Sequence, residues 1–272
     1  MSKAVIIKAN DLEKSIQVKN ILASKFEARG IKVLEEYKDN AELVVSIGGD
    51  GTFLSVIKEY RFKDIPLIGI NTGHLGFLTE LTAEDMDKLV SDYLDSKYYV
   101  EEVSLLNAVI YMNDKCEDVY ALNEIVVKSD KSRVLHLDVK VNNKYMQKFS
   151  GDGIIISTST GSTAYNYSAG GCIVDTELDV IQMTPMYPMN TSSYRSLTSS
   201  AVFSNTASIS IKPECRFEDS VLIVVDGIEY RYEEIVGVNL ELSKKKVKLM
   251  KMSEVGFWEK VSNKFLWITP AT

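Results

Sequence analysis

A carboxylate sits inside a glycine turn, in the stretch Ile47-Gly48-Gly49-Asp50-Gly51-Thr52. Apolar runs at 43–45 and 53–57 flank it, which reads as buried strand, tight turn and helix start. Glycines there let backbone N–H groups approach a phosphate closely, and a helix N-terminus adds favourable partial charge. Gly48, Gly49 and Thr52 are therefore expected at the phosphates of a donor. An acid in such a turn repels phosphate unless it serves the ligand. Asp50 could hold a magnesium ion that bridges to phosphate, or take the proton of an attacking hydroxyl. Both jobs point to phosphoryl transfer. The spacing is neither that of a Walker A loop nor that of the G-x-G-x-x-G dinucleotide turn.

Three more segments could contribute. In Asn71-Thr72-Gly73-His74-Leu75-Gly76-Phe77 the glycines would shape a pocket wall, His74 would hydrogen-bond, and Phe77 would stack on a flat ligand. Asn123-Glu124 pairs an amide with a carboxylate, a combination able to meet a base edge and vicinal ribose hydroxyls. From Ser157 to Tyr165 seven hydroxyl side chains crowd after an apolar strand, where they could bind phosphates or sugar hydroxyls without a fixed charge. Asp152, between two glycines, is a second carboxylate placed to meet a ligand. Asp226-Gly227 reads mainly as a hairpin turn.

These loops need a scaffold. Residues 3–9, 31–34, 43–47 and 65–70 read as strands and 82–94 as a helix. Asn10 and Glu13 form a capping-box pattern ahead of a helix whose apolar face would be Leu12, Ile16, Leu22, Ala23 and Phe26, closed by Gly30. This alternation predicts an α/β domain with a parallel sheet over residues 1–97, with both glycine loops at the ligand-binding strand ends. Residues 98–252 are β-rich, with strands expected at 98–103, 105–112, 119–127, 135–141, 154–157, 207–211, 221–225, 229–232 and 236–242. Asn142-Asn143 and Asp226-Gly227 are the turn signals. Residues 253–272 carry Phe257, Trp258, Val261, Phe265, Leu266 and Trp267 and are expected to pack back as an amphipathic segment.

Composition narrows the classes. The 272 residues are 45% hydrophobic with a net charge of −7, which disfavours nucleic acid as a partner. No apolar run approaches the roughly 20 residues that span a bilayer, so no membrane association is expected. Three dispersed cysteines suggest reduced thiols and a cytoplasmic location, and two histidines exclude a multi-histidine metal site.

Taken together, Gly48-Gly49-Asp50-Gly51-Thr52, Asn71 to Phe77, Asn123-Glu124 and Gly161-Ser162-Thr163-Ala164-Tyr165 resemble, in order and approximate spacing, the ATP-NAD/polyphosphate kinase family. The glycine turn alone also suits lipid kinases of the diacylglycerol type, and a non-catalytic NAD(P) sensor is a further alternative. The resemblance implies a two-domain fold and phosphoryl transfer from ATP or polyphosphate, with Mg2+ or another divalent cation, to the 2′-hydroxyl of the adenosine ribose of NAD. It implies that Asp50 is the catalytic aspartate and that Gly51 and Phe77 line the adenosine site, with His74 beside them. Asn123 and Glu124 would hold adenosine. Asp152 would reach the nicotinamide end from a neighbouring subunit, and Thr163, Ala164, Tyr165 and Ser168 would wall the pocket. No residue is assigned as a metal ligand. A homodimer or homotetramer is implied. Ser159 and Cys172 stand where the family usually has proline, and both changes are expected to loosen their turns.

Overall fold

The computed structural model describes residues 3–73, 76–192, 195–214, 221–252 and 256–266. They fall into two compact units, 1–103 with 246–272, and 104–245.

The first unit is built on parallel strands. β1 (Ala4–Ala9), β2 (Lys32–Leu34), β3 (Ala41–Ile47) and β4 (Leu67–Asn71) run in the order β2-β1-β3-β4. The short β5 (Leu81–Thr82) also pairs with β4, as does Leu249 of the returning chain. β4 and most of β3 are buried at every position, because a parallel sheet is covered on both faces. α1 (Glu13–Glu27) and α3 (Met86–Leu94) join one core cluster with alternate residues of β1, β3 and β4. α2 (Asp50–Tyr60) buries Phe53, Val56, Ile57 and Tyr60 outside that cluster and packs on β3 and β4.

Two expectations at α1 fail. The helix starts at Glu13 after Leu12, and no side chain caps it. Asn10 stands two residues ahead of Leu12: its Oδ1 accepts the Leu12 N–H at 3.3 Å, and its amide donates to Thr52 Oγ1 at 3.1 Å. The buried stripe is Ser15, Val18, Leu22 and Phe26, while Leu12 and Ile16 are exposed.

The second unit is two antiparallel sheets. Its strands are β6 (Tyr99–Met112, which begins in the first unit), β7 (Cys116–Ala121), β8 (Glu124–Ser129), β9 (Leu135–Val141), β10 (Lys144–Gly151) and β11 (Gly153–Thr158). A short helix α4 (Tyr165–Ser168) precedes β12 (Val180–Met186), β13 (Ala201–Ser204), β14 (Ser208–Pro213), β15 (Val221–Val225), β16 (Ile228–Tyr230) and β17 (Ile235–Lys251). One sheet runs β13-β12-β11-β8-β15-β16. The other contains β10-β9-β14-β17, with β6 on β17 and β7 on β6. Inward residues of both, among them Ile125, Ile156, Leu137, Phe149 and Leu240, form one core. The two-residue turns at Asn142-Asn143 and Asp226-Gly227 have positive φ throughout, as hairpins of this length require. The strand expected over 119–127 is broken at Leu122-Asn123, and β10, β12 and β13 arise where no strand was expected.

α5 (Phe257–Val261) continues as a π-helical turn, Ser262–Leu266, in the first unit. Of its expected apolar face only Val261 is buried; Trp258 and Leu266 are exposed, and Trp267 lies outside the described residues.

Candidate active site

Asp50 opens α2, and its carboxylate is clasped by the loop after β4. Oδ2 accepts the Phe77 N–H at 2.8 Å, and Oδ1 accepts those of Leu78 and Thr79, each at 3.2 Å. Hydrogen bonds to a charged acceptor contribute about 1.5–3 kcal/mol each, so swinging the carboxylate away would cost several kcal/mol. Gly76 makes the approach possible, since a Cβ at this position would overlap the Asp50 carboxylate. Gly48 is equally constrained: φ is +151°, and a Cβ would strike Thr52 and Asn10.

Asp50 and Gly49 line a cleft of about 380 Å³ together with Asn10, Lys14, Thr72 and Lys264. Gly48 and Thr52 do not line it, and the Thr52 hydroxyl is occupied by Asn10. Gly51 is exposed on the first turn of α2. Phe77 is half-buried, and its ring lies 5.2 Å from that of Phe265. His74 lies outside the described residues.

The second unit holds the other set. Asn123 and Glu124 are buried, and Asn123 Oδ1 and Glu124 Oε2 have no hydrogen-bond partner among the described residues. A buried polar atom left unpaired costs about 1–3 kcal/mol, a cost that a ligand would remove. Their backbone is gripped from two sides. Asp226 accepts the N–H groups of Leu122 (2.7 Å), Asn123 (2.8 Å) and Glu124 (3.2 Å). Thr158 Oγ1 donates to the Leu122 carbonyl at 2.6 Å, and its N–H to the Asn123 carbonyl at 2.9 Å. Gly161 lies so close to the Asn123 carbonyl that any Cβ would collide with it. Burial, and then the charge of Asp226, push the Glu124 carboxyl up to about 8. At neutral pH it therefore carries a proton, able to donate one hydrogen bond and accept another. Burial also raises the Tyr165 hydroxyl, as do Tyr187, Glu124 and Asp152. Asp152 itself is exposed in the turn between β10 and β11. Thr163 and Ala164 are half-buried and Ser168 is exposed.

The hydroxyl-rich loop departs from expectation. Ser157, Thr158, Ser159 and Ser162 are buried, and they donate to protein carbonyls: Ser157 to Thr158, Thr158 to Leu122, Ser159 to Leu178 and Ser162 to Val174. Ser157 and Thr158 thereby hold the segment that carries Asn123 and Glu124, whereas Ser159 and Ser162 tie the loop to residues 174–178. The turn at Cys172 is also pinned. The Cys172 N–H donates to Gln182 Oε1 at 2.8 Å, and the Gln182 amide returns a bond to the Cys172 carbonyl at 3.1 Å. Proline could not make the first bond.

Sequence reasoning missed the grip of Asp226, the buried Asn166 that accepts from the Thr184 hydroxyl at 2.6 Å, and Lys264 in the cleft. Asp226 had a signal, as an Asp-Gly after a strand in a chain with two other such pairs near predicted ligand loops. Asn166 and Lys264 had none.

Among the described residues, no helix is long and apolar enough to cross a membrane. Family models described as the ATP-NAD kinase N-terminal and C-terminal domains match residues 4–98 and 122–252. An NAD kinase from Finegoldia magna is 38% identical over 97% of this chain and 98% of its own length. The crystal structure of an NAD kinase from Archaeoglobus fulgidus in complex with ATP is 25% identical, covers 95% of this chain and 97% of that one, and has a TM-score of 0.77. Yeast NADH kinase complexed with NADH shares the fold, with a TM-score of 0.85 at 19% identity over 100% of this chain and 89% of that one. Two family models spanning most of the sequence, and a relative at this identity over nearly all of it, place the chain in the ATP-NAD kinase family.

Proposed function

We propose that Asp50 is the group through which this NAD kinase activates its acceptor, the 2′-hydroxyl of the adenosine ribose of NAD. The observation that carries this reading is the clasp. A carboxylate has about four lone-pair positions. The Oδ1 side meets Leu78 and Thr79, whereas Oδ2 meets only the Phe77 N–H, which leaves room on Oδ2 for an acceptor hydroxyl. Asp50 accepts the hydroxyl proton as the new O–P bond forms to the terminal phosphoryl group and the bond to the leaving ADP breaks. Phosphoryl transfer needs alignment and charge neutralisation more than covalent help, and a fixed carboxylate supplies the alignment.

Asn123 and Glu124 hold the adenosine, with their unpaired buried atoms as the support for that role. The family resemblance assigns Gly51 and Phe77 to contacts with the adenosine, and Thr163, Ala164, Tyr165 and Ser168 to contacts with the dinucleotide. Asp152 is assigned to the nicotinamide end, donated by a second copy of the chain in a homodimer or homotetramer. Gly49 meets the donor phosphates, with Gly48 and Thr52 shaping the turn. Among the described residues no three His, Cys, Asp or Glu side chains gather to hold a metal. An Mg2+ ion carried by the donor phosphates and water would supply charge neutralisation. Cys116 and Cys172 are free thiols, which suits a cytoplasmic enzyme.

The test is direct. The protein incubated with ATP, Mg2+ and NAD is expected to produce NADP. Absence of NADP, at enzyme concentrations approaching those of NAD, would remove the reading.

A further inference from the structure

The C-terminal segment reaches the cleft at Asp50 by contacts that the mechanism above does not use. Lys260 pairs with the buried Glu80 at 3.1 Å, and Lys251 pairs with the same carboxylate at 3.5 Å. The side chain of Glu80 is 4% exposed, so this anchor is desolvated and its geometry is fixed. Phe265 packs on Phe77, the residue whose N–H holds Asp50 Oδ2. Between these anchors Lys264 lies with its ammonium group 4.7 Å from the centre of the Phe77 ring, and it lines the cleft. Lys14, from the first turn of α1, lines the cleft too. Neither lysine has a carboxylate partner among the described residues. The only acid among the lining residues is Asp50, and its oxygens are engaged by the 77–79 amides.

Two lysines that line one cleft and have no carboxylate partner among the described residues can form a cradle for a multiply charged anion. We propose that Lys264, delivered by the C-terminal segment, binds the phosphate chain of the phosphoryl donor together with Lys14. The assignment rests on the kinase reading above and adds residues to it from the two ends of the chain. An ammonium is a compact point charge with rotatable donors, suited to a chain of phosphates whose position shifts as the terminal group leaves.

The test uses the full-length protein with K264Q, K14Q and K264R. Each lost charge-assisted contact is expected to raise KM for ATP about tenfold, with KM for NAD unchanged within about twofold. K264R should stay within about threefold of the parent, because charge rather than shape is recognised at this position. Calorimetric titration with inorganic tripolyphosphate reads the cradle without turnover, and affinity should fall about tenfold in K264Q and in K14Q. Unchanged KM for ATP and unchanged tripolyphosphate affinity in both variants would overturn the proposal. A rise in KM for NAD alone would overturn it too, because Lys264 would then act only through Phe77. K14Q lies on an exposed turn far along the chain from the Glu80 anchor, so it carries the test if K264Q fails to fold. Failure of the kinase reading is recognised separately, as a parent protein that binds tripolyphosphate but forms no NADP.

Discussion

Asp50 and Asp226 are held in the same way in different units of the chain, and the two carboxylates do opposite work. Each accepts three consecutive backbone N–H groups from a distant segment, 77–79 for Asp50 and 122–124 for Asp226. At Asp50 the loop holds the acid. Gly76 clears the space, the amides fix both oxygens, and the carboxylate is left facing a cleft. At Asp226 the acid holds the loop. It sits in a hairpin turn at φ +47°, a strained setting for a residue other than glycine, and the groups it fixes are Asn123 and Glu124. A clasp of amides can therefore immobilise a reacting group, or it can use an acid as a frame for groups that bind. What each clasp leaves open distinguishes the two: the carboxylate itself at Asp50, and at Asp226 the side chains of Asn123 and Glu124.

Removing each charge should separate these roles. D50N is expected to lower kcat about 10²–10⁴-fold, the usual worth of general-base assistance, while the dissociation constant for NAD changes little. Steady-state kinetics with calorimetry would check it, and near-normal turnover would put Asp50 outside the chemistry. D226N should show the reverse pattern. KM for NAD should rise about tenfold with kcat altered less than about threefold, because weakened amide bonds loosen the segment that binds. A fall in kcat alone would mean that the two clasps are not different in kind.

The smallest effect concerns protons. Glu124 titrates near 4.5 in the unfolded chain and near 8 when buried beside Asp226. Between these values the folded protein keeps a proton that the unfolded chain has released. The stability this group contributes is thus fully present below 4.5 and is lost as pH rises through about 8. E124Q has no proton to lose, so the difference in denaturation midpoint between acidic and mildly alkaline buffer should shrink. An unchanged difference would show that Glu124 is not held protonated. D226N, which removes the second cause of the shift, should move the loss of stability to lower pH without abolishing it.

The parts legible in the sequence were those carried by local pattern. The apolar runs of β3 and β4, the Gly48 to Thr52 turn and the hairpin at Asn142-Asn143 each signal their structure within a few residues. What escaped depends on partners far along the chain. Asn10 had a local capping partner in Glu13, yet its amide goes to Thr52, 42 residues away. Asp226 reaches Asn123 across 103 residues, so an Asp-Gly pair that signals a turn conceals the clasp. The hydroxyls of 157–162 looked ligand-facing because type and spacing reveal polarity, not direction; burial turned them onto protein carbonyls. Ser159 and Cys172 teach the same lesson. Where the family resemblance led to an expectation of loosened turns, a hydroxyl bond to Leu178 and a paired amide from Gln182 supply the restraint instead.

The central claim is that Asp50, already fixed by its amides, meets the sugar hydroxyl that receives the phosphoryl group. A crystal structure of the protein with NAD bound measures this directly. The Asp50 Oδ2 to ribose 2′-oxygen distance should be about 2.5–3.0 Å, with the Phe77 N–H still bound to the same oxygen. A 2′-oxygen turned away from Asp50, or a carboxylate that has left the 77–79 amides to meet a different part of the dinucleotide, would contradict the account.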